Sequence, residues 1–249
     1  MKRKWFAYCT ENEAPELKLL LFPYAGGGAA MFVQWKKFID KKADVYPVLY
    51  PFREARRSEK LPDSLTALAE SIAAENEDIF KGRYAMFGHC AGSTIAYETA
   101  KAAKKLYGTE PEFIIASGAE PPGFTLDDMK YLENSSNEEF LEYLIKSGFA
   151  DESVRENKGF IQYYLPIIAA DFRLLFSYKP SDSGKLNCPI HIFRGNDDNV
   201  IDPSRLPVWT DYTSAETYEK VFEGGHYYFN SSPENVCAGI NDIINKEGK

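Results

Sequence analysis

One short motif, Gly-His-Cys-Ala-Gly at residues 88–92, constrains the fold more than any other stretch of the chain. The apolar run Tyr84–Phe87 before it predicts a buried strand, and the residues after it, to about Leu106, are compatible with a helix. The two flanking glycines suit a strained strand-to-helix turn, because bulky side chains would collide where strand and helix cross. The helix N-terminus would also favour the thiolate form of Cys90. The motif therefore predicts a nucleophile elbow, with cysteine where serine is usual.

Strand and helix patterns alternate along most of the chain. Apolar runs predict strands at Trp5–Tyr8, Leu17–Phe22, Val45–Tyr50, Tyr84–Phe87, Phe113–Ala116, Pro189–Phe193 and Tyr218–Phe222. Helical patterns occur at Ala30–Ile39, after a cap at Asp63 or Ser64, from Gly92, at Pro203–Asp211 and at Pro233–Asn245. This alternation predicts an α/β fold with a mostly parallel central sheet and helices on both faces.

The alternation is interrupted after Glu120. From about Leu126 to Tyr178 the sequence shows only helical patterns, including an aromatic-rich run near Tyr163. A helical insertion of this length into an α/β protein typically forms a cap or lid. We therefore predict that residues 1–120 and 179–249 form the core and that residues 121–178 form a helical lid.

Three histidines limit the choice of a catalytic base. His89 adjoins the nucleophile, and a tight turn usually directs neighbouring side chains apart, so a structural role is predicted for it. His191 lies inside a predicted strand and is expected to be packed in the sheet. His226 follows the last predicted strand in a Gly-Gly-His sequence, at the sheet edge where a catalytic base belongs. His226 is therefore the predicted base.

An acidic loop follows the penultimate predicted strand. It contains Asp197 and Asp198, and the spacing from Gly195 favours Asp198 as the catalytic acid, with Asp197 as its rival. Nucleophile, acid and base then follow one another as Cys90, Asp198 and His226, each after a predicted strand. This is the chain order of an α/β-hydrolase, and it makes a hydrolase-type enzyme the preferred interpretation.

A loop with three consecutive glycines, Gly26 to Gly28, follows the strand at Leu17–Phe22. It lacks the lysine and Ser/Thr of a phosphate-binding loop and the spacing of a dinucleotide fingerprint. Two interpretations remain from the residues alone. The loop either supplies backbone N–H groups to an oxyanion hole or is a glycine-rich connection without function.

Motifs along nearly the whole chain resemble those of type II thioesterases, the stand-alone α/β-hydrolases of nonribosomal-peptide and polyketide synthase systems. The segments are Phe-Pro-Tyr-Ala-Gly-Gly at 22–27, Tyr-Pro-Phe-Arg-Glu-Ala-Arg at 50–56, Gly-His-Cys-Ala-Gly at 88–92, Leu-Pro-Ile-Ile-Ala-Ala-Asp-Phe at 165–172 and Gly-Gly-His-Tyr-Tyr-Phe at 224–229. The resemblance implies an enzyme that removes acyl or aminoacyl groups from the phosphopantetheine arm of acyl or peptidyl carrier proteins. It also implies an oxyanion hole formed by the N–H groups of Ala25 and Ala91, and no cofactor beyond the arm that carries the substrate.

The chain departs from the family pattern at five positions of these motifs. Tyr24 replaces a histidine, Phe52 a glycine, Ala91 a methionine and Ala169 an arginine, while Cys90 replaces the serine nucleophile. The last change bears directly on the reaction.

A cysteine nucleophile suits thioester substrates. A thiol that attacks a thioester exchanges like for like, whereas a thiol that attacks an oxyester runs uphill. We therefore expect hydrolysis of carrier-bound and small acyl thioesters through an acyl-Cys90 intermediate. The alternative is an acyltransferase, because an acyl-Cys thioester can also pass its acyl group to an amine or a thiol. A third hypothesis, a non-enzymatic binding module, is disfavoured because Asp198 and His226 are retained.

Charge and cysteine usage bound the partners and the compartment. A net charge of −8 argues against a general binder of nucleic acid or anionic membranes. No secretory signal or membrane-length apolar run is evident. The four cysteines are scattered, which predicts neither a disulfide framework nor a metal site and favours a reducing cytoplasm. An acidic carrier protein would need a local basic patch, for which the candidates are the lid or Arg53, Arg56, Arg57 and Lys60.

Overall fold

The computed structural model describes residues 3–124, 132–147, 149–181 and 184–247. In these residues a single sheet is formed by β1 (Leu17–Phe22), β2 (Ala43–Pro47), β3 (Tyr84–His89), β4 (Ile114–Ser117), β5 (Ile190–Gly195) and β6 (Thr217–Phe222). The spatial order is β2-β1-β3-β4-β5-β6, and every neighbouring pair is parallel. The predicted parallel sheet is confirmed.

The α-helices lie between these strands and after the last of them. They are α1 (Leu65–Ala74), α2 (Glu77–Phe80), α3 (Ala91–Tyr107), α4 (Asn137–Lys146), α5 (Leu165–Phe176), α6 (Tyr228–Ser231) and α7 (Pro233–Glu247). Of the two predicted caps for α1, the side chain of Ser64 accepts a hydrogen bond from the backbone N–H of Ala67 at 3.1 Å. Helix α3 ends at Gly108, which adopts the left-handed conformation (φ +70°) that closes many helices.

Helices cover both faces of the sheet because its strands are apolar on both faces. Alternate residues of a strand point to opposite sides, so Leu20 and Met86 join one hydrophobic cluster while Leu19 and Phe87 join the other. The first cluster packs against α1, α3 and α5, and the second against α7 and the segment around Trp35. Buried parallel strands of this kind end at one common edge, where the loops that carry function meet.

Three predicted elements differ from those observed. The first predicted strand is reduced to one bridge between Phe6 and Val48, because Tyr8 has a positive φ (+58°) that ends the extended conformation. The helix predicted at Ala30–Ile39 consists of two short 3₁₀ segments, Ala29–Phe32 and Gln34–Lys37. Pro203–Asp211 is also a 3₁₀ helix, and Pro207 within it lacks the N–H that an α-helix would use.

The described residues between Asn137 and Phe176, in the segment between β4 and β5, are mainly helical. The segment contains α4, a 3₁₀ turn at Glu152–Glu156, a π-helical stretch at Phe160–Tyr164 and α5. The beginning of the predicted lid, residues 125–131, and residue 148 lie outside the described residues. The boundaries of the lid and its function as a lid stay predictions. No described helix is both long and apolar enough to cross a membrane.

Candidate active site

Cys90 occupies a strained turn between β3 and α3. Its backbone has φ +53° and ψ −121°, a combination that non-glycine residues rarely adopt. A Cβ atom on Gly88 would lie 2.3 Å from the carbonyl oxygen of Gly92, and one on Gly92 would lie 2.3 Å from that of Phe22. Both glycines are therefore required by backbone contacts, which is the physical reason that the sequence motif predicted.

His226 and Asp198 form a buried pair just after two neighbouring strands, β6 and β5 respectively. The Nδ1 atom of His226 lies 2.9 Å from Oδ2 and 3.1 Å from Oδ1 of Asp198. The Oδ1 atom also accepts a hydrogen bond from the N–H of Val200 at 2.9 Å. The rival acid, Asp197, has an exposed side chain, and its backbone N–H donates to the carbonyl oxygen of Gly224. The structure thus places Asp198, rather than Asp197, on the histidine.

The charge of His226 depends on its two neighbours. Burial lowers its pKa, but the hydrogen bond to Asp198 and the interaction with the nearby Cys90 sulfur outweigh that effect and raise the pKa to about 9. The second ring nitrogen, Nε2, is buried and has no hydrogen-bond partner among the described residues. The thiol of Cys90 is nevertheless near enough to raise the pKa of the ring. The structure therefore brings the three predicted catalytic residues together, with a histidine that favours the imidazolium form.

His89 also reaches this site, which sequence reasoning missed. The centroid of its ring lies 4.8 Å from that of His226, and its Nδ1 atom lies 2.9 Å from the hydroxyl oxygen of Ser117. That hydroxyl is in turn 2.5 Å from the phenol oxygen of Tyr228. Burial, with a smaller effect of His226, lowers the pKa of His89 well below its ordinary value, so its ring is neutral. His89 thus packs against the ring of His226 without adding charge.

His191 lies elsewhere in the sheet. It is a residue of β5, and its ring stacks on Tyr218 of β6 with centroids 5.0 Å apart. Burial lowers its pKa to about 4. A packed sheet residue is what its position in the strand predicted.

The predicted oxyanion-hole residues come from two elements that touch each other. Ala91 is the first residue of α3, so its N–H has no acceptor within the helix. Ala25 lies in the loop Pro23–Gly28 after β1, here called the glycine loop, and both alanines line one small cavity beside Tyr50. Their roles in catalysis, like those of Cys90, Asp198 and His226, stay predictions.

A larger cavity of about 630 Å³ adjoins the site. The glycine loop forms one wall, and aromatic and aliphatic side chains of the segment between β4 and β5 form much of the rest. Its apolar lining includes Tyr24, Met31, Leu144, Phe149, Phe160, Tyr163, Tyr164, Ile167, Ile168, Phe172 and Tyr227. Two of these rings lie close to His226: the ring centroids of Phe149 and Tyr227 are 6.2 and 5.1 Å from that of His226. An apolar acyl group would be accommodated here.

Two of the four basic residues suggested for a docking patch are buried. Arg53 is only 2 % exposed and Arg56 only 5 %, and each is paired with a carboxylate, Asp171 and Glu59 respectively. The expectation that these two arginines face a partner is therefore wrong. The guanidinium of Arg53 pairs with the buried carboxylate of Asp171, and that of Arg56 pairs with the partly exposed carboxylate of Glu59. Of the four residues, Lys60 is exposed.

No group of three or more histidine, cysteine or acidic side chains is placed to hold a metal ion within the described residues. The four cysteines are free, and Cys188 and Cys237 are buried.

A parallel sheet with a nucleophile elbow after β3, an acid after β5 and a histidine after β6 defines the α/β-hydrolase fold. The model of the thioesterase domain family matches residues 17–244, and the chain belongs to this family. It is 28% identical over 229 residues to "Thioesterase PikA5" of Streptomyces venezuelae, with 92% of this chain and 81% of that protein covered. It is 29% identical to "Gramicidin S biosynthesis protein GrsT" of Aneurinibacillus migulanus, with 92% and 89% covered. The structure is also similar to that of the type II thioesterase BorB from the borrelidin biosynthetic cluster, with a TM-score of 0.83, 26% identity and 98% of both chains covered.

Proposed function

We propose that this protein hydrolyses acyl or aminoacyl thioesters carried on the phosphopantetheine arm of carrier proteins in nonribosomal-peptide or polyketide biosynthesis. The observation that carries the proposal is the buried His226–Asp198 pair beside Cys90 at a strained elbow. Membership of the thioesterase domain family supports the reaction class, and the relatives named for gramicidin S and borrelidin biosynthesis support the setting.

The reaction begins when the sulfur of Cys90 attacks the thioester carbonyl carbon. His226 holds the proton of the thiol, and Asp198 keeps Nδ1 of the imidazole oriented and stabilises its charged form. The carbonyl π electrons move to the oxygen, which the N–H groups of Ala25 and Ala91 stabilise. Collapse of this intermediate breaks the bond to the pantetheine sulfur, which takes its proton from His226. His226 then removes a proton from water, whose oxygen attacks the carbonyl carbon of the acyl-Cys90 thioester. Collapse of this second intermediate breaks the carbon–sulfur bond, and the Cys90 sulfur leaves as a thiolate beside the protonated His226 while the free acid is released.

The first test compares Cys90→Ala with the matched variant Cys9→Ala, which removes a half-buried thiol elsewhere. Each protein is incubated with an acylated carrier domain, and intact masses of both partners are followed over time. We expect Cys90→Ala to lose at least about 10³-fold in turnover, because the nucleophile is gone, and Cys9→Ala to keep it. Full turnover by Cys90→Ala would disprove the assignment.

The same experiment separates hydrolysis from acyl transfer. Free acid and unmodified enzyme support hydrolysis. An acyl adduct on Cys90 that persists until an amine or a thiol is added would identify the alternative, an acyltransferase.

A further inference from the structure

A buried ion pair joins the loop after β2 to helix α5. Arg53 Nη1 lies 2.7 Å from Oδ2 of Asp171, and Nη2 lies 2.5 Å from Oδ1, so the guanidinium bridges both carboxylate oxygens. Both residues are buried, and the ring of Tyr50 packs under the guanidinium at 5.1 Å. The two residues are 118 positions apart in the chain. The pair therefore ties the segment between β4 and β5 to the core.

The same two side chains hold the glycine loop. The backbone N–H of Gly26 donates to Oδ2 of Asp171 at 2.6 Å, and Arg53 Nη1 donates to the carbonyl oxygen of Gly27 at 2.8 Å. Gly26 has φ +83°, and a Cβ atom on it would lie 2.3 Å from Cγ1 of Ile168, which lies one turn before Asp171 in α5. The loop is thus enclosed between the ion pair and the surface of α5.

These contacts fix both peptide planes that flank Ala25. The plane of the Ala25–Gly26 peptide is set by the hydrogen bond from Gly26 to Asp171. The plane of the Tyr24–Ala25 peptide, which carries the Ala25 N–H, is set by the hydrogen bond from Gly27 N–H to Tyr24 O at 2.8 Å. The direction of the Ala25 N–H is consequently determined by the carboxylate of Asp171 and by the Tyr24–Gly27 turn, whose Gly27 carbonyl oxygen accepts a hydrogen bond from Arg53.

The backbone around Arg53 is strained to aim this side chain. Phe52 and Glu54 on either side of it both have positive φ angles, +68° and +44°, a conformation that is strained for residues other than glycine. Glu54 accepts a hydrogen bond from the N–H of Ala30 at 3.1 Å, just beyond the glycine loop. Burying an ion pair rarely increases stability relative to apolar side chains of similar volume. Strain and desolvation together indicate that geometry, rather than stability, is what the pair provides.

We propose that Arg53 and Asp171 are positioning residues for the oxyanion hole: they hold the glycine loop so that the Ala25 N–H points at the thioester oxygen. This inference rests on the proposed function, because it requires an oxyanion formed at Cys90. Loss of one oxyanion donor typically costs about 10²–10³-fold in kcat, so a misdirected donor will cost a substantial part of that.

The test uses Asp171→Asn, which keeps the size of the side chain but weakens both ion-pair contacts. Arg53→Lys is the second variant, since lysine cannot bridge both carboxylate oxygens and Gly27 at once. The matched control is Glu98→Gln, a buried carboxylate of α3 whose partners, Tyr178 and Ser181, lie away from the glycine loop.

Three readouts are measured on each full-length protein. Steady-state kinetics with an acyl-pantetheine thioester give kcat and KM separately. Inhibition by an alkyl trifluoromethyl ketone reports the oxyanion hole, because Cys90 sulfur adds to its carbonyl carbon, the thiol proton passes to His226 and the oxygen becomes an anion. Alkylation by iodoacetamide requires the same thiol and histidine, but it displaces iodide and forms no oxyanion.

We expect Asp171→Asn to lower kcat by about 10–100-fold and ketone affinity by a similar factor. KM and the alkylation rate will stay within about threefold, and Arg53→Lys will show the same pattern with a smaller loss. Glu98→Gln will leave kcat, KM, ketone affinity and the alkylation rate unchanged. Equal losses in ketone affinity and alkylation would overturn the inference, as would unchanged kcat in both variants. Failure of the wild-type protein to lose activity on Cys90 alkylation would instead overturn the proposed function.

Discussion

The two sides of the candidate site are built by different means. One side lies at the strand ends and consists of Cys90, Asp198 and His226. Backbone contacts restrict the chain there, because Gly88 and Gly92 pack against neighbouring carbonyls. The opposite side, the glycine loop and the apolar cavity, is held by side chains from distant segments. The first side is determined by the sheet, whereas the second depends on how the segment between β4 and β5 packs.

This difference predicts that the two sides affect different steps of the reaction. Changes on the strand-end side should reduce the chemical step for every substrate, because all substrates share the same thioester carbon. Under the proposed function the apolar lining of the cavity holds the acyl chain, so changes to those side chains should alter which acyl groups bind.

The largest effect is expected for the acid. Asp198→Asn should reduce kcat by about 10³–10⁴-fold, because an amide can no longer stabilise the imidazolium and favours the wrong tautomer of His226. Asp197→Asn is the matched control, since its exposed side chain makes no contact with the histidine in the described structure, and it should stay within about threefold of wild type. Steady-state assays with one acyl thioester decide the matter, and a larger loss for Asp197→Asn would exchange the two roles.

A smaller and selective effect is expected in the cavity. Phe160 lies in the π-helical stretch, lines the cavity and stacks on Tyr164 at 6.4 Å. Phe160→Ala should raise KM for a long acyl thioester by about 10-fold, since an aromatic side chain contributes about 1.5–3 kcal/mol of apolar contact. KM for the acetyl thioester should change little.

Phe38→Ala serves as the control for that experiment, because it truncates an exposed phenylalanine outside the cavity. If Phe160→Ala lowered turnover of acetyl and long-chain thioesters equally, the cavity would not be the acyl site, and the contrast between the two sides would fail.

The strand-end side could be predicted from sequence because its signals are local. An apolar run followed by Gly-His-Cys-Ala-Gly determines a strand, a turn and a helix within 25 residues, and parallel strands bring their ends to one edge. Asp198 and His226 were found in this way. The contact of His89 with His226 could not be predicted in this way. The two rings can approach each other only because residue 118 is a glycine: a Cβ atom there would lie 2.7 Å from His89 Cε1.

The glycine-loop side could not be derived from local patterns. A basic loop resembles a solvated surface, and nothing in the spacing of Arg53 indicates a partner 118 residues away. The available signal was the resemblance itself, since the motifs at 50–56 and 165–172 contain Arg53 and Asp171. The structure also shows why glycine suits one position where this chain departs from the family: Phe52 has a positive φ (+68°), which glycine would adopt without strain.

The stability of the fold should also depend on pH through His226. The pKa of His226 rises from its ordinary value of 6.5 to about 9 in the folded protein, so folding favours the bound proton. This contribution is fully present below about pH 6.5 and is lost as the pH rises through about 9, amounting to at most about 3 kcal/mol.

Urea denaturation of wild type and Asp198→Asn at pH 6.5, 8 and 9.5 tests this prediction. Burial also raises the pKa of the thiols of Cys188 and Cys237 to about 12, so ionisation of these thiols lowers the stability of the protein in alkali. This loss is the same in both proteins. The difference between the two proteins therefore isolates His226, and it should shrink as the pH rises. A difference that stays constant across this range would show that Asp198 orients His226 without stabilising its charge, and the strand-end side would then hold its geometry through backbone packing alone.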